Sequence, residues 1–199
     1  MLRSLNKVLG SAIVATDGEI GKVYNFLFED LSWKIAYIVV EAGGWFNSHK
    51  VLLSPSVLLQ PDWNRKLLPV SVTKEQVRNS PDIDTDQPVS RQQQVSLARY
   101  YGWSSYLEVP AEAREDLLTG DPHLRSCREL MGYSVQGGGE MLGEVDDFIV
   151  DDKKWEIRYL LTRAGIEGGS HILLLPVDGV REISWTYRRV ELNRTAASL

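Results

Sequence analysis

Residues able to do acid–base, nucleophilic or metal chemistry are few in this chain of 199 amino acids: three histidines, one cysteine and 27 carboxylates. His49, His123 and His171 are the imidazoles, and His49 and His171 stand 122 positions apart. They could share a metal only if the segments carrying them met at those ends, so each is read as a turn or strand-end histidine. The densest carboxylate group is Glu140, Glu144, Asp146, Asp147, Asp151 and Asp152. A calcium loop wants several oxygens at loop spacing around a glycine turn. Here the neighbours Asp146 and Asp147 project to opposite faces of a strand, which reads as a solvated acidic edge. Gly137-Gly138-Gly139 leads into no helix and carries no Lys-Ser/Thr, which leaves a hairpin turn rather than a phosphate cradle. No serine sits in a Gly-x-Ser-x-Gly elbow. With no complete catalytic set, the chain is read as not an enzyme, and neither a cofactor nor a metal site is expected.

The elements that would position these residues occur twice. Shifting the sequence by 122 positions lays residues 2–73 on 124–195 without a gap, and 19 of those 72 positions are identical. Average residue usage would give roughly four or five. The matches include Leu2-Arg3-Ser4 with Leu124-Arg125-Ser126, Gly10 with Gly132, Gly21 with Gly143, Trp33 with Trp155, Tyr37 with Tyr159, His49 with His171 and Trp63 with Trp185. This pattern reads as a tandem duplication: a first copy at 1–73, a connector at 74–123 and a second copy at 124–199. Cys127 takes the place of Leu5, which favours a buried apolar role over a nucleophile. The four recurring tryptophans are expected in the core. The apolar stretch at 8–15 recurs in mid-chain at 130–137, which argues against a cleaved leader. No run approaches the ~20 apolar residues of a membrane span.

Composition narrows the class further. At 43% hydrophobic and 25% charged, the chain has the usage of a folded globular protein. A net charge of −5 without a Lys/Arg cluster argues against a nucleic-acid partner. A lone cysteine forbids an internal disulfide and is compatible with a reducing compartment, so a cytoplasmic location is expected.

Each copy reads as strands. The first offers 20–28 and 34–41 across a short polar turn, then 50–53 and 67–72; the second offers 142–150, 155–162, 172–175 and 189–193. Comparing copies, Ile157, Tyr159 and Leu161 stay apolar while Ala36 and Val40 become Arg158 and Thr162, which predicts the first set inward. Several short strands in some 70 residues suit a small antiparallel barrel that hides its edges. The expected fold is therefore all-β, two tandem small antiparallel β-barrels with a partly helical connector. In the connector a helix is predicted over 91–101, opened by a Ser90/Gln93 capping box and closed by Gly102, with a shorter one over 111–118.

Gly18-Glu19-Ile20-Gly21-Lys22-Val23 running to Phe28-Glu29-Asp30, then Tyr37-Ile38-Val39-Val40, Gly43-Gly44-Trp45-Phe46 and Lys50-Val51-Leu52-Leu53-Ser54-Pro55, resembles the PRC-barrel family. The second copy resembles it through Met141-Leu142-Gly143-Glu144-Val145, Tyr159-Leu160-Leu161 and Leu173-Leu174-Leu175-Pro176. The resemblance implies a small β-barrel, also used in the cytoplasmic domain of the photosynthetic reaction-centre H subunit and in a ribosome-maturation factor. The membrane helix of the one and the extra N-terminal domain of the other have no counterpart here, so those roles do not carry over. Non-recurring aromatics supply the candidate partner contacts: Trp45 and Phe46 in a glycine turn, Tyr101 and Trp103 in the connector. The expected role is a non-catalytic protein-binding or adaptor module. A small-ligand or metal site between the barrels, conceivably enzymatic, is the alternative, and self-association as a homo-oligomeric scaffold is a third reading.

Overall fold

A computed structural model describes residues 1–43, 49–80, 100–102, 124–166 and 169–193. The described chain is mostly β, arranged in two sheets with few helices, as the sequence predicted. Its first half carries β1 (Leu2–Ser4), a helical turn α1 (Leu5–Val8), β2 (Ala12–Ala15), β3 (Gly18–Glu29), β4 (Ile35–Ala42), β5 (His49–Leu53), β6 (Leu67–Pro69) and α2 (Lys74–Arg78). The second half repeats the order with β7 (Leu124–Ser126), α3 (Cys127–Leu130), β8 (Ser134–Gly137), β9 (Glu140–Asp151), β10 (Glu156–Ile166) and β11 (Gly169–Pro176). It ends on β12 (Val180–Ser184) and β13 (Arg189–Leu192).

The ladders repeat as faithfully as the residues do. Ala12 faces Lys22 in β2–β3 and Ser134 faces Glu144 in β8–β9; Ala42 faces His49 in β4–β5 and Ala164 faces His171 in β10–β11. Every one of these pairs is displaced by the same 122 positions. The expectation of purely antiparallel strands needs correction, because β2–β6 and β8–β13 are parallel. The short strands β2 and β8 went unread, since four residues after a helical turn carry too little alternation to stand out.

Two recurring glycines have a steric reason. A Cβ on Gly21 would lie 2.0 Å from the Glu41 carbonyl oxygen, and one on Gly143 would lie 2.4 Å from that of Arg163. No side chain fits where β3 meets β4 or where β9 meets β10 at these positions, and the β2–β3 and β8–β9 ladders slip register beside the same two glycines. Non-glycine residues with positive φ also recur in step: Trp33 (58°) with Trp155 (51°), and Lys66 (53°) with Arg188 (48°). The tryptophans close their hairpin turns by donating to Glu29 O at 2.7 Å and Asp151 O at 2.8 Å. Such left-handed bulky residues cost on the order of 1–3 kcal/mol and persist only where surroundings fix them.

The predicted inward face of β10 holds at Ile157 and Arg158 and is overturned beyond them. Ile157, Leu160 and Thr162 are fully buried, Arg158 is exposed, and Tyr159 and Leu161 are only half-buried on the other face. The β9–β10 ladder slips between Ile157 and Tyr159, and that bulge restarts the alternation one residue later. In β4 all of residues 35–40 are buried, so the first copy could not discriminate the faces.

The chain divides into two compact units that do not follow the copies. Unit one comprises Met1–Val8, Phe28–Ile35 and Arg125–Leu199; unit two comprises Leu9–Leu27 and Ala36–Leu124. In unit one, Ile35 N–H donates to Trp155 O at 2.7 Å and Ile157 N–H to Trp33 O at 2.8 Å, a reciprocal link between equivalent turns. Phe28 stacks on Trp33 at 5.2 Å and meets Phe148 at 6.2 Å in the same core. Trp33 and Trp155 are buried as expected, but Trp63 and Trp185 are half-buried, Trp185 lying against Tyr133 and beneath the Arg125 guanidinium.

Candidate functional site

The most elaborate polar constellation among the described residues lies in unit one, where β9 receives the N-terminal segment. β1 is three residues long and could not persist as an isolated strand. It pairs antiparallel with β9 through Leu2–Asp151, Arg3–Val150 and Ser4–Ile149. Arg3 donates through Nε and Nη2 to Asp152 Oδ2 at 3.0 and 2.9 Å, while the Met1 ammonium donates to Oδ1 at 2.7 Å. Burial raises the Asp152 pKa, but the hydrogen bonds and charges of the Met1 ammonium and Arg3 outweigh it, so the carboxyl sits below its ordinary range. Asp151 is also lowered, first by the Lys153 backbone N–H.

Further along β9, two residues past the last ladder pair with β1, Asp147 is only 6% exposed. Its Oδ1 accepts from the backbone N–H groups of Asn6 at 3.0 Å and Phe148 at 2.7 Å, and its Oδ2 from Ser4 Oγ. Asn6 Nδ2 adds a bond to the Asp146 carbonyl at 3.0 Å. Three donors compensate the removal of this carboxylate from water. The predicted solvated acidic edge is thus wrong for Asp147, and Asp152 is committed to Arg3; Glu140 and Glu144 remain exposed, and Asp146 pairs with Arg163 at 2.5 Å. The missed signal was the recurring Leu-Arg-Ser itself. In the same unit its second occurrence places Arg125 Nε 2.9 Å from Asp30 Oδ2, the counterpart of Arg3 with Asp152, and β7 pairs with β3.

Cys127 is buried at the head of α3, as expected. Burial and then the Asp147 charge push its thiol well above the ordinary value, which keeps it protonated and poorly nucleophilic. Gly137-Gly138-Gly139 forms the predicted hairpin turn, with φ of 65° at Gly138 and 86° at Gly139.

Unit two contains a cavity of about 790 Å³ whose lining includes Glu19, Lys22, Glu41, His49, Lys74 and Arg78. His49 opens β5, the predicted strand end, and its Nε2 is buried without a hydrogen-bond partner among the described residues. His171 is exposed and sits inside β11 rather than at its end. Among the described residues no group of three or more His, Cys, Asp or Glu gathers closely enough to hold a metal. Nor is any helix there long and apolar enough to cross a membrane.

Of the candidate partner contacts, Trp45, Phe46 and Trp103 lie outside the described residues, as do His123, the 111–118 helix and most of the 91–101 helix. Tyr100 and Tyr101 are helical and Gly102 follows with φ of 70°, the conformation that ends a helix. Tyr101 is half-buried; burial pushes its hydroxyl up to about 12, against a side-chain hydrogen bond with Ser80. Tyr100 is 40% exposed and donates to the Gln76 carbonyl at 2.9 Å.

The two halves differ in burial on one face of the equivalent hairpins β4–β5 and β10–β11. Val39 and Leu52, directly opposed in β4–β5, are both fully buried. Their counterparts Leu161 and Leu174 oppose each other in β10–β11, yet Leu161 is half-exposed and Leu174 is 52% exposed. Ile172 beside them is 63% exposed. β11 stands at the edge of its sheet. A scan against protein-family models found no match to this chain, and a search of the curated proteins found none either.

Proposed function

We propose that this chain is a tandem PRC-barrel-like protein, built by internal duplication, that binds another protein in the cytoplasm without catalysing a reaction. The observation that carries the reading is the apolar strip Leu161, Ile172 and Leu174 on the edge hairpin of unit one, which stays exposed although Val39 and Leu52, the equivalents of Leu161 and Leu174, are buried. Solvent-exposed apolar strips on folded domains mark interaction sites. The charged groups support the same reading: Arg3, Asp147, Asp152, Arg125 and Asp30 are engaged in joining segments of unit one.

The test is partner capture from the native cell by a photo-crosslinking residue at position 174. A recovered partner that disappears in the Leu161→Asp/Ile172→Asp variant, with unfolding unchanged, supports the proposal. Crosslinks indifferent to that variant, together with reproducible turnover by the purified chain, would end it. The second reading, a small-ligand binder, is favoured by the unit-two cavity, where Lys22, Lys74 and Arg78 accompany the unsatisfied His49 Nε2. A thermal-shift screen of small anions tests that reading, since a ligand at 100 times its Kd stabilises by about 2.7 kcal/mol. No shift with any anion would reject it.

A further inference from the structure

We infer that the seat on β9 accepts the Met1–Val8 segment of a second copy of this chain, so that two molecules can interlock by exchanging their N-terminal strands. Seat and segment are far apart in sequence: β9 and the following turn bind residues preceding Gly10. The second Leu-Arg-Ser obeys the same rule, with Arg125 held by Asp30 and β7 pairing with β3. Each such segment is therefore bound by the strand of the other repeat copy and never by its own. The contact needs no covalent continuity, only a Leu-Arg-Ser strand from outside the seat's own copy, and a second molecule supplies one with identical side chains.

The recognition is specific enough to act between molecules. Ladder pairing fixes the register, two guanidinium donors meet one carboxylate oxygen, and Asp147 reads both Ser4 and the Asn6 backbone. Gly10, with φ of 74° and open space around its Cα, follows the segment and provides the hinge. Exchange of identical elements makes no new contacts and breaks none, so concentration decides the outcome. Within one chain the segment is presented at an effective concentration of the order of millimolar, which keeps molecules closed at micromolar protein.

The test uses full-length chains with Cys127→Ala. One carries Leu2→Cys and the other Asp151→Cys, the directly opposed ladder positions. A third chain carries both and should close an internal disulfide, which shows that the seat has formed. The two single variants are refolded together at ~1 mM, comparable with the effective concentration, and at ~10 µM, far below it, then oxidised and mapped by peptide mass. A 2–151 disulfide between molecules is expected at the higher concentration. Its yield should fall by well over tenfold at the lower one, and should hardly change when the Leu2→Cys chain also carries Arg3→Ala, because the closed and exchanged forms lose the same contact. Absence of that disulfide at the higher concentration while the third chain closes normally would overturn the proposal. So would an equal yield when the partner carries its cysteine at the exposed Glu140 in place of Asp151, which would mark random collision.

Discussion

Replacing Asp147 by alanine removes the acceptor of two backbone N–H groups, Asn6 at 3.0 Å and Phe148 at 2.7 Å, and unties Ser4. A buried donor stripped of its acceptor costs about 1–3 kcal/mol, so the two together should cost about 2–5 kcal/mol. The asparagine variant provides the contrast. Asn25 occupies the equivalent site, is 5% exposed, and its Oδ1 accepts from Phe26 N–H at 2.8 Å. Asp147→Asn keeps an acceptor oxygen where both N–H groups point, and its cost should stay near 1 kcal/mol. Urea unfolding followed by tryptophan fluorescence reads both values. At roughly 2–4 °C per kcal/mol for a chain of this size, a 3 kcal/mol loss lowers Tm by about 6–12 °C. Cys127, fully buried and close enough to feel the Asp147 charge, gives an independent readout: its labelling by a maleimide should accelerate in Asp147→Ala and hardly change in Asp147→Asn. An alanine variant within about 0.5 kcal/mol of the parent, the range of neutral surface changes, would refute the role assigned to this carboxylate. An asparagine variant as damaged as the alanine one would do so too.

Acid should loosen the same segment. The folded-state pKa values of Asp151 and Asp152 are depressed, so their contribution is present above the ordinary carboxylate value and fades as pH falls through the lowered ones. Urea midpoints should drop as pH falls below the ordinary carboxylate value of 3.8, less steeply in Arg3→Ala; equal slopes would dismiss Arg3 as the cause. Gly21→Ala and Gly143→Ala force a Cβ against a backbone carbonyl and should destabilise by about 3 kcal/mol or more, beyond ordinary overpacking. Gly10→Ala meets open space but must hold φ at 74°, costing only about 1–2 kcal/mol; equal losses at Gly10 and Gly21 would contradict the steric argument. Tyr101 should ionise late, with its pKa about 12. Folding stability then falls as pH rises from the unfolded value of 10 through 12, and Tyr101→Phe should remove that component from absorbance and stability titrations alike.

Residues whose tasks are local were legible in the sequence. Gly21 and Gly143 exclude a side chain, Trp33 and Trp155 close a turn, and Gly138-Gly139 reverse a hairpin, so each constraint is written at its own position. Cys127 could be assigned to the interior because a lone thiol in place of Leu5 has no chemical partner nearby. Asp147 could not be assigned: beside Asp146, Asp151 and Asp152 it looks solvated, and its partners Ser4 and Asn6 lie more than a hundred residues away.

By itself the sequence determined the all-β class, the spacing of 122 and the positions of the long hairpins, since alternation and turn chemistry act over a few residues. Tertiary structure alone decided that Met1–Val8 joins the second copy's strands in unit one, that β8 pairs in parallel with β13, and that a bulge at Arg158 turns Leu160 and Thr162 inward. Strand pairing saves backbone hydrogen bonds whichever copy supplies the strand. The Arg–Asp pairs, Arg3 with Asp152 and Arg125 with Asp30, are alike in both copies, so the choice falls to positions where the copies differ, such as Asp147 in place of Asn25, which binds Ser4 and Asn6 across more than a hundred residues.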